Sequence, residues 1–204
     1  MFAGSSDEQL VGKALAGSAR AWRQLVRRHE GGVYNLGYRL TGNREDAMDL
    51  TQEVFLGVCR GLHRFRGEAN FRTWLFRIAH NKAVDLNRKR KLLELTGGLD
   101  ENGEFRDFAR AAVSGAAPSD TPAAGAEPDH DLAAGERNRL ALGLLQRISF
   151  EQRLVVELKI YQSLTFEEIA RMQEISVNTA KTRFYTALKK MRLATEEEHA
   201  LLEN

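Results

Sequence analysis

Apolar positions recur at spacings of three and four through residues 5–94 and again through 136–195, the period of helices that bury one face. Leu10, Ala14 and Leu15 mark a first short helix, and Ala21, Trp22, Leu25 and Val26 a second. Val33, Leu36, Tyr38 and Leu40 mark a third, closed by Thr41-Gly42. Asn43 then reads as an N-cap, with Glu45 and Asp46 in a first turn where the helix dipole favours acids. The fourth helix carries two stripes. Ala47, Leu50, Val54, Val58 and Leu62 form the apolar one, while Asp46, Asp49 and Glu53 form a carboxylate stripe on another face. A fifth helix is predicted from Phe71 to Lys91, burying Leu75, Ile78, Ala79 and Leu86.

Between the two periodic stretches the pattern disappears. Pro118, Pro122 and Pro128 all fall within an Ala, Gly and acid-rich run from Thr96 to Gly135, too poor in apolar surface to offset chain entropy. The expected organisation is therefore all-α: a helical domain over 5–94, a flexible acidic linker over 95–135, and a second helical domain over 136–195. Punctuation divides the second domain into helices at about 137–147, 150–161, 166–172 and 177–192. Ser149 with Gln152 and Thr165 with Glu168 fit the capping box, and Ser176 is a third N-cap candidate.

Charge sharpens this division. The chain of 204 residues has a formal net charge of only +2, yet residues 60–91 hold ten basic and two acidic groups, and residues 94–136 hold two and ten. Blocks of this kind speak of partners more than of fold. The single cysteine, Cys59, excludes an internal disulfide, and its place beside Val58 and Leu62 predicts a small buried hydrophobe in preference to a redox sensor. The histidines show no ligand spacing, so no metal and no cofactor are expected. The polar N-terminus lacks both a basic start and an apolar run, and a cytoplasmic protein without membrane insertion is expected.

Two constellations point to nucleic acid. Phe166–Met172, a tight break at Gln173–Ile175 and a longer helix from Val177 have helix-turn-helix proportions, with Ile169, Ile175, Val177, Ala180, Phe184 and Leu188 as the buried face. The other face offers Asn178, Thr179, Lys181, Thr182, Arg183, Tyr185, Thr186 and Lys189, with no acid between Ser176 and Thr195. Amides, hydroxyls and cations so placed reach base edges and phosphates in the major groove. The second constellation runs from Phe65 to Asn81, where Arg66, Arg72 and Arg77 interleave with Phe71, Trp74 and Phe76. Aromatic faces stack on unpaired bases while cations hold the backbone, so single-stranded DNA is one natural ligand. Taken alone, the run reads equally as ordinary core, with Arg88 to Lys91 a solvated helix end.

Thr41-Gly42-Asn43-Arg44-Glu45-Asp46-Ala47, Asp49-Leu50-Thr51-Gln52-Glu53-Val54-Phe55-Leu56, Phe65-Arg66-Gly67 and Phe71-Arg72-Thr73-Trp74-Leu75-Phe76-Arg77-Ile78-Ala79 closely resemble region 2 of sigma-70 family factors of the extracytoplasmic-function group. Leu164 to Leu188 resembles their region 4. The resemblance implies a sigma region 2 bundle and a sigma region 4 helix-turn-helix, in a promoter-recognising subunit of bacterial RNA polymerase that is no enzyme and has no catalytic residues. It places Asp46, Asp49, Gln52 and Glu53 at the core polymerase. Phe65 and Asn81 fall at a base flipped from the minus-10 element, and Arg66, Arg72, Trp74, Arg77 and Arg88 at the melting surface. Asn178, Thr179, Lys181, Thr182, Arg183 and Tyr185 fall on the helix that reads the duplex minus-35 element. It also implies an anti-sigma factor as a possible partner. Two departures stand out: Gln173-Glu174 replaces the family's usual apolar residue and glycine in the turn, and Thr186 replaces a common basic residue. If Glu174 is left-handed, it costs on the order of 1 kcal/mol. A dimeric helix-turn-helix repressor would leave the Phe65–Asn81 run without a role, and a recombinase would need a nucleophile or a metal cluster that Asp46, Asp49 and Glu53 do not supply.

Overall fold

The computed structural model describes residues 5–95 and 140–202, with side chains over 5–93 and 140–196. The proposed linker, 95–135, lies outside the described residues except for Leu95, which ends α4. The first half holds α1 (Asp7–Leu15), α2 (Ala19–Thr41), α3 (Arg44–Gly61), a 3-10 turn (Leu62–Arg64) and α4 (Phe71–Leu95). The second holds α5, described over 140–146, then α6 (Phe150–Val156), a π-helical turn (Glu157–Tyr161), α7 (Phe166–Gln173) and α8 (Val177–Leu202).

The caps read from sequence are formed. Asn43 Oδ1 accepts from the backbone N–H groups of Glu45 at 2.7 Å and Asp46 at 3.2 Å. Ser149 and Gln152, and Thr165 and Glu168, make reciprocal capping boxes, and Ser176 Oγ accepts from Thr179 N at 3.0 Å. Gly42 closes α2 in the left-handed region at φ 71°, which a glycine adopts without a Cβ clash. Gly37 has a different role. A Cβ there would lie 3.0 Å from the Ala47 backbone, tighter than ordinary contact, so the glycine lets α2 and α3 cross closely.

Some expectations need correction. The second and third helices are one continuous helix, α2, because nothing between Val26 and Val33 breaks it: Gly31 and Gly32 lower helix propensity, but the buried face continues through Leu25, His29, Val33 and Leu36. Two helices outrun their predicted ends, α4 reaching Leu95 and α8 reaching Leu202. Ile78 and Leu86 are only partly buried, and Leu188 is exposed, its place in the core taken by Ala187 and Ala194. Cys59 is exposed as well: Val58 takes the inward position and the neighbouring thiol faces out.

Leu25, Leu36, Val54, Val58, Phe71 and Leu75 form the centre of the first half. Leu154, Val155, Leu158 and Ile169 of the second half belong to the same apolar cluster, so the halves are packed together. A smaller cluster of Leu145, Ile148, Val156 and Ala187 lies within the second half.

A candidate nucleic-acid interface

The loop from Phe65 to Asn70 links the 3-10 turn to α4, and Asn70 starts that helix by accepting from Thr73 N at 2.7 Å through its side chain. Phe71 and Phe76 are buried, so two aromatics of the run are core, as the ordinary reading of the run holds. Phe65 and Trp74 are only partly buried. Phe65 packs edge-on to Phe71 at 5.9 Å and tilted to Trp74 at 5.4 Å, leaving an aromatic rim on a solid base. Around that rim Arg66, Arg72, Arg77 and Asn81 are exposed. Phe65, Arg66, Trp74 and Arg77 line one side of a groove of about 480 Å³, together with Arg64 and the acid Glu68; Glu168, Arg171 and Met172 of α7 line the other, so cations outnumber acids around it by four to two. Rigid aromatics ringed by cations suit unstacked bases and their phosphates.

The structure brings Phe65, Arg66, Trp74 and Arg77 into one groove, whereas Asn81 and Arg88 line a second, of about 620 Å³, between α4 and the helix-turn-helix. His80, buried beneath that second groove, lies 3.0 Å through Nδ1 from Asn81 Oδ1. Burial holds the His80 imidazole below its ordinary pKa, as it does for His29, which pairs with Asp7 at 2.9 Å. Arg88 is solvated and stands 4.0 Å from Asp85.

On α8, Asn178, Thr179, Lys181, Thr182 and Tyr185 are exposed on one face, and Ala180 and Ala187 are buried on the other. Arg183 differs from its neighbours, being half-buried and donating to Gln173 Oε1 at 3.1 Å. Glu174 is left-handed at φ 54° and ψ 41°, the conformation its glycine-like position demands.

The carboxylate stripe of α3 is divided. Asp46 lies 3.3 Å from Arg90 and Glu53 2.8 Å from Lys82, both cations belonging to α4. The Lys82 hydrogen bond and charge hold the Glu53 carboxyl below its usual range. Asp49 and Gln52 are exposed, flanked by exposed Met48 and Leu56. Apolar side chains rimmed by acids in this way suit a partner surface more than a metal. Among the described residues, no group of three or more His, Cys, Asp or Glu could hold a metal ion, and no helix is long and apolar enough to cross a membrane.

Several polar residues of the interface between the halves were not singled out from sequence. Glu157 is wholly buried and receives a bidentate pair from Arg39, Nε to Oε2 at 2.5 Å and Nη2 to Oε1 at 2.9 Å. The same guanidinium lies over the Tyr161 ring at 3.8 Å, and Gln162 Nε2 donates to Glu157 Oε1 at 3.0 Å. Arg153 Nη1 donates to the Leu40 carbonyl. Arg72 donates to Gln162 Oε1 at 3.0 Å, and Thr73 Oγ1 to Glu168 at 3.2 Å. One sequence signal could have found this cluster: Glu157 is the lone charge in Leu154-Val155-Val156-Glu157-Leu158, and a buried carboxylate needs a cationic partner.

A helical bundle bearing an arginine and aromatic groove, followed by a capped helix-turn-helix with a cationic outer face, defines a two-part DNA-binding protein of all-α class. Residues 25–92 match the family description sigma-70 region 2, and residues 139–191 match sigma-70, region 4. The ECF RNA polymerase sigma factor SigE of Mycolicibacterium smegmatis is 32% identical over 175 residues, 84% of this chain, which spans 60% of that protein's length. The RNA polymerase sigma-H factor of Pseudomonas aeruginosa is 27% identical over 193 residues, 92% of each chain. In overall fold the chain is similar to CnrH in its complex with the cytosolic domain of CnrY, with a TM-score of 0.62 and 24% identity over 95% of this chain and 99% of that one. It is similar also to the sigma factor RpoE of Bartonella quintana in complex with the anti-sigma factor NepR, with a TM-score of 0.61 and 17% identity over 87% of this chain and 98% of that one. This chain belongs to the sigma-70 family of RNA polymerase initiation factors, in its extracytoplasmic-function group.

Proposed function

We propose that this protein binds core RNA polymerase, reads the minus-35 and minus-10 elements of a promoter and promotes strand opening, acting in the cytoplasm without a cofactor or catalytic step of its own. The observation that carries the reading is the Phe65 and Trp74 rim with its arginines, joined in one chain to a helix-turn-helix whose second helix carries no acid between Ser176 and Thr195. Extruding a base costs a few kcal/mol, offset where a pocket receives it. From their separate grooves, Phe65 and Asn81 are assigned to the minus-10 base contacts, while Arg66, Arg72, Trp74, Arg77 and Arg88 hold the separated strand.

Asn178, Thr179, Lys181, Thr182, Arg183 and Tyr185 read the minus-35 duplex. Asp49, Gln52 and Glu53, with Asp46 at the edge of the face, dock on the polymerase. Two weak DNA contacts on a common scaffold reinforce each other through effective concentration. An anti-sigma factor is a further proposed partner, supported by fold similarity to CnrH solved with the cytosolic domain of CnrY and to the sigma factor RpoE solved with the anti-sigma factor NepR.

Run-off transcription with core polymerase and a promoter library tests the function. The purified chain is expected to start RNA synthesis at a defined subset of templates. Asn81→Ala should lose discrimination at the minus-10 element with helicity intact. Asp49→Arg combined with Glu53→Arg should weaken core binding about tenfold or more. Normal core binding by that double variant would move the docking face elsewhere, and silence on every template would overturn the function.

A further inference from the structure

A single side-chain hydrogen bond joins α7 to α8 among the described residues: Arg183 Nη1 donates to Gln173 Oε1 at 3.1 Å. Gln173 is the last residue of α7, so the bond spans the turn of the helix-turn-helix. The arrangement costs the fold something. Gln173 Nε2 is buried and has no hydrogen-bond partner among the described residues, and a buried donor left unpaired is destabilising. Leucine or methionine at the end of α7 would carry no such donor. What an amide supplies there, and an apolar side chain does not, is a grip on Arg183.

That grip is neutral, which decides its use. Arg183 makes no other hydrogen bond and no ion pair among the described residues, although Glu151 and Glu174 line the same groove. A carboxylate partner would cancel the guanidinium charge, whereas an amide fixes the side chain and leaves the charge for an incoming anion.

The helix supplies the direction. At about 100° per residue, Asn178, Thr182, Tyr185 and Lys189 fall within about 60° of one another, and Arg183 lies about 100° round from Thr182. Those four side chains are exposed and Arg183 is half-buried, so Arg183 stands on the flank of the outer face. In a helix laid along the major groove, the centre of that face meets base edges and the flanks meet the phosphate walls.

We propose that Gln173 is a positioning residue that presents Arg183 to a promoter phosphate, so that Arg183 fixes the register of α8 on the duplex and reads no base. This rests on the minus-35 role proposed above for α8 and narrows the share of Arg183 in it.

The test uses holoenzyme assembled from core polymerase and the full chain. Its affinity is followed by fluorescence anisotropy, across a range of salt, on a promoter duplex recovered by run-off transcription and on copies with single minus-35 substitutions. Gln173→Leu should weaken binding about fivefold, by the same factor on every copy, and should make the fall of log affinity with log salt shallower by about one. Arg183→Ala should do the same. The double variant should bind no worse than Arg183→Ala alone, because the two residues act as one unit. The Tm of the Gln173→Leu chain should hold or rise as its binding falls, since the unpaired amide is gone. Gln173→Met gives the same reading where leucine disturbs the turn.

A changed ranking of the substituted duplexes in either single variant would overturn the phosphate assignment. Additive losses would overturn the positioning, as would a Gln173→Leu chain that matches the unchanged chain in affinity and salt slope. Tm and binding falling together in both Gln173 variants would make Gln173 a structural part only, and would overturn it as well. If the unchanged chain binds no duplex with core enzyme, the promoter function falls and this anchor with it. If the unchanged chain binds and the Gln173 variants are indifferent, the function stands and the anchor alone falls.

Discussion

His80 sits at the boundary between core and proposed DNA surface, buried against α4's neighbours and tied to Asn81. Burial lowers its pKa on folding, so the unfolded chain binds the proton more tightly. The sign is definite: its contribution to stability is whole above the ordinary value of 6.5 and is lost as pH falls below it. His29 shifts in the same direction, with Asp7 opposing the shift. Thermal melts between about pH 7 and pH 5 should therefore show a falling Tm, and His80→Gln should make that fall shallower. An unchanged slope would mean that the imidazole is already solvated in the folded chain.

At the scale of elements, caps and periodicity carried most of the information. Asn43, Ser149, Thr165 and Ser176 each start a helix where a hydroxyl or amide precedes an apolar run, because capping is a local interaction that sequence neighbours decide. Helix ends and exact facing were less legible. Leu188 and Cys59 each lie one step in sequence from a buried residue, and a shift of about 100° per residue separates inside from outside. The turn of the helix-turn-helix was legible in a different way, since its geometry demands a left-handed residue whatever side chain occupies it. Glu174 adopts that conformation, and Glu174→Gly should raise stability by up to about 1 kcal/mol in denaturant titration, less what glycine adds to unfolded-chain entropy. A loss of stability on that substitution would show that the Glu174 side chain holds the turn.

The whole molecule was the least legible scale. Region 2 and region 4 motifs are written in contiguous runs, but Arg39 and Glu157 are 118 positions apart, and no local pattern pairs them. Leu154, Val155 and Leu158 share a cluster with Leu36 and Leu75, so the two halves are energetically joined. Calorimetry should accordingly show one main unfolding transition for the unchanged chain, and Arg39→Glu should split it into two as each half melts alone. One transition in both would mean that the halves stay coupled through apolar packing without the ion pair.

The segment Glu157–Tyr161 is wound as a π-helix, wider by a residue per turn than the α6 helix it extends. That extra residue is an offset in phase: removing one position from the segment would let the helix tighten, and everything beyond it would rotate by roughly 100° relative to Glu157. Tyr161 and Gln162 would then swing off the guanidiniums of Arg39 and Arg72, while the sequence of the helix-turn-helix stayed intact. A single-codon deletion could thus separate how the chain folds back on itself from what its last helices can read.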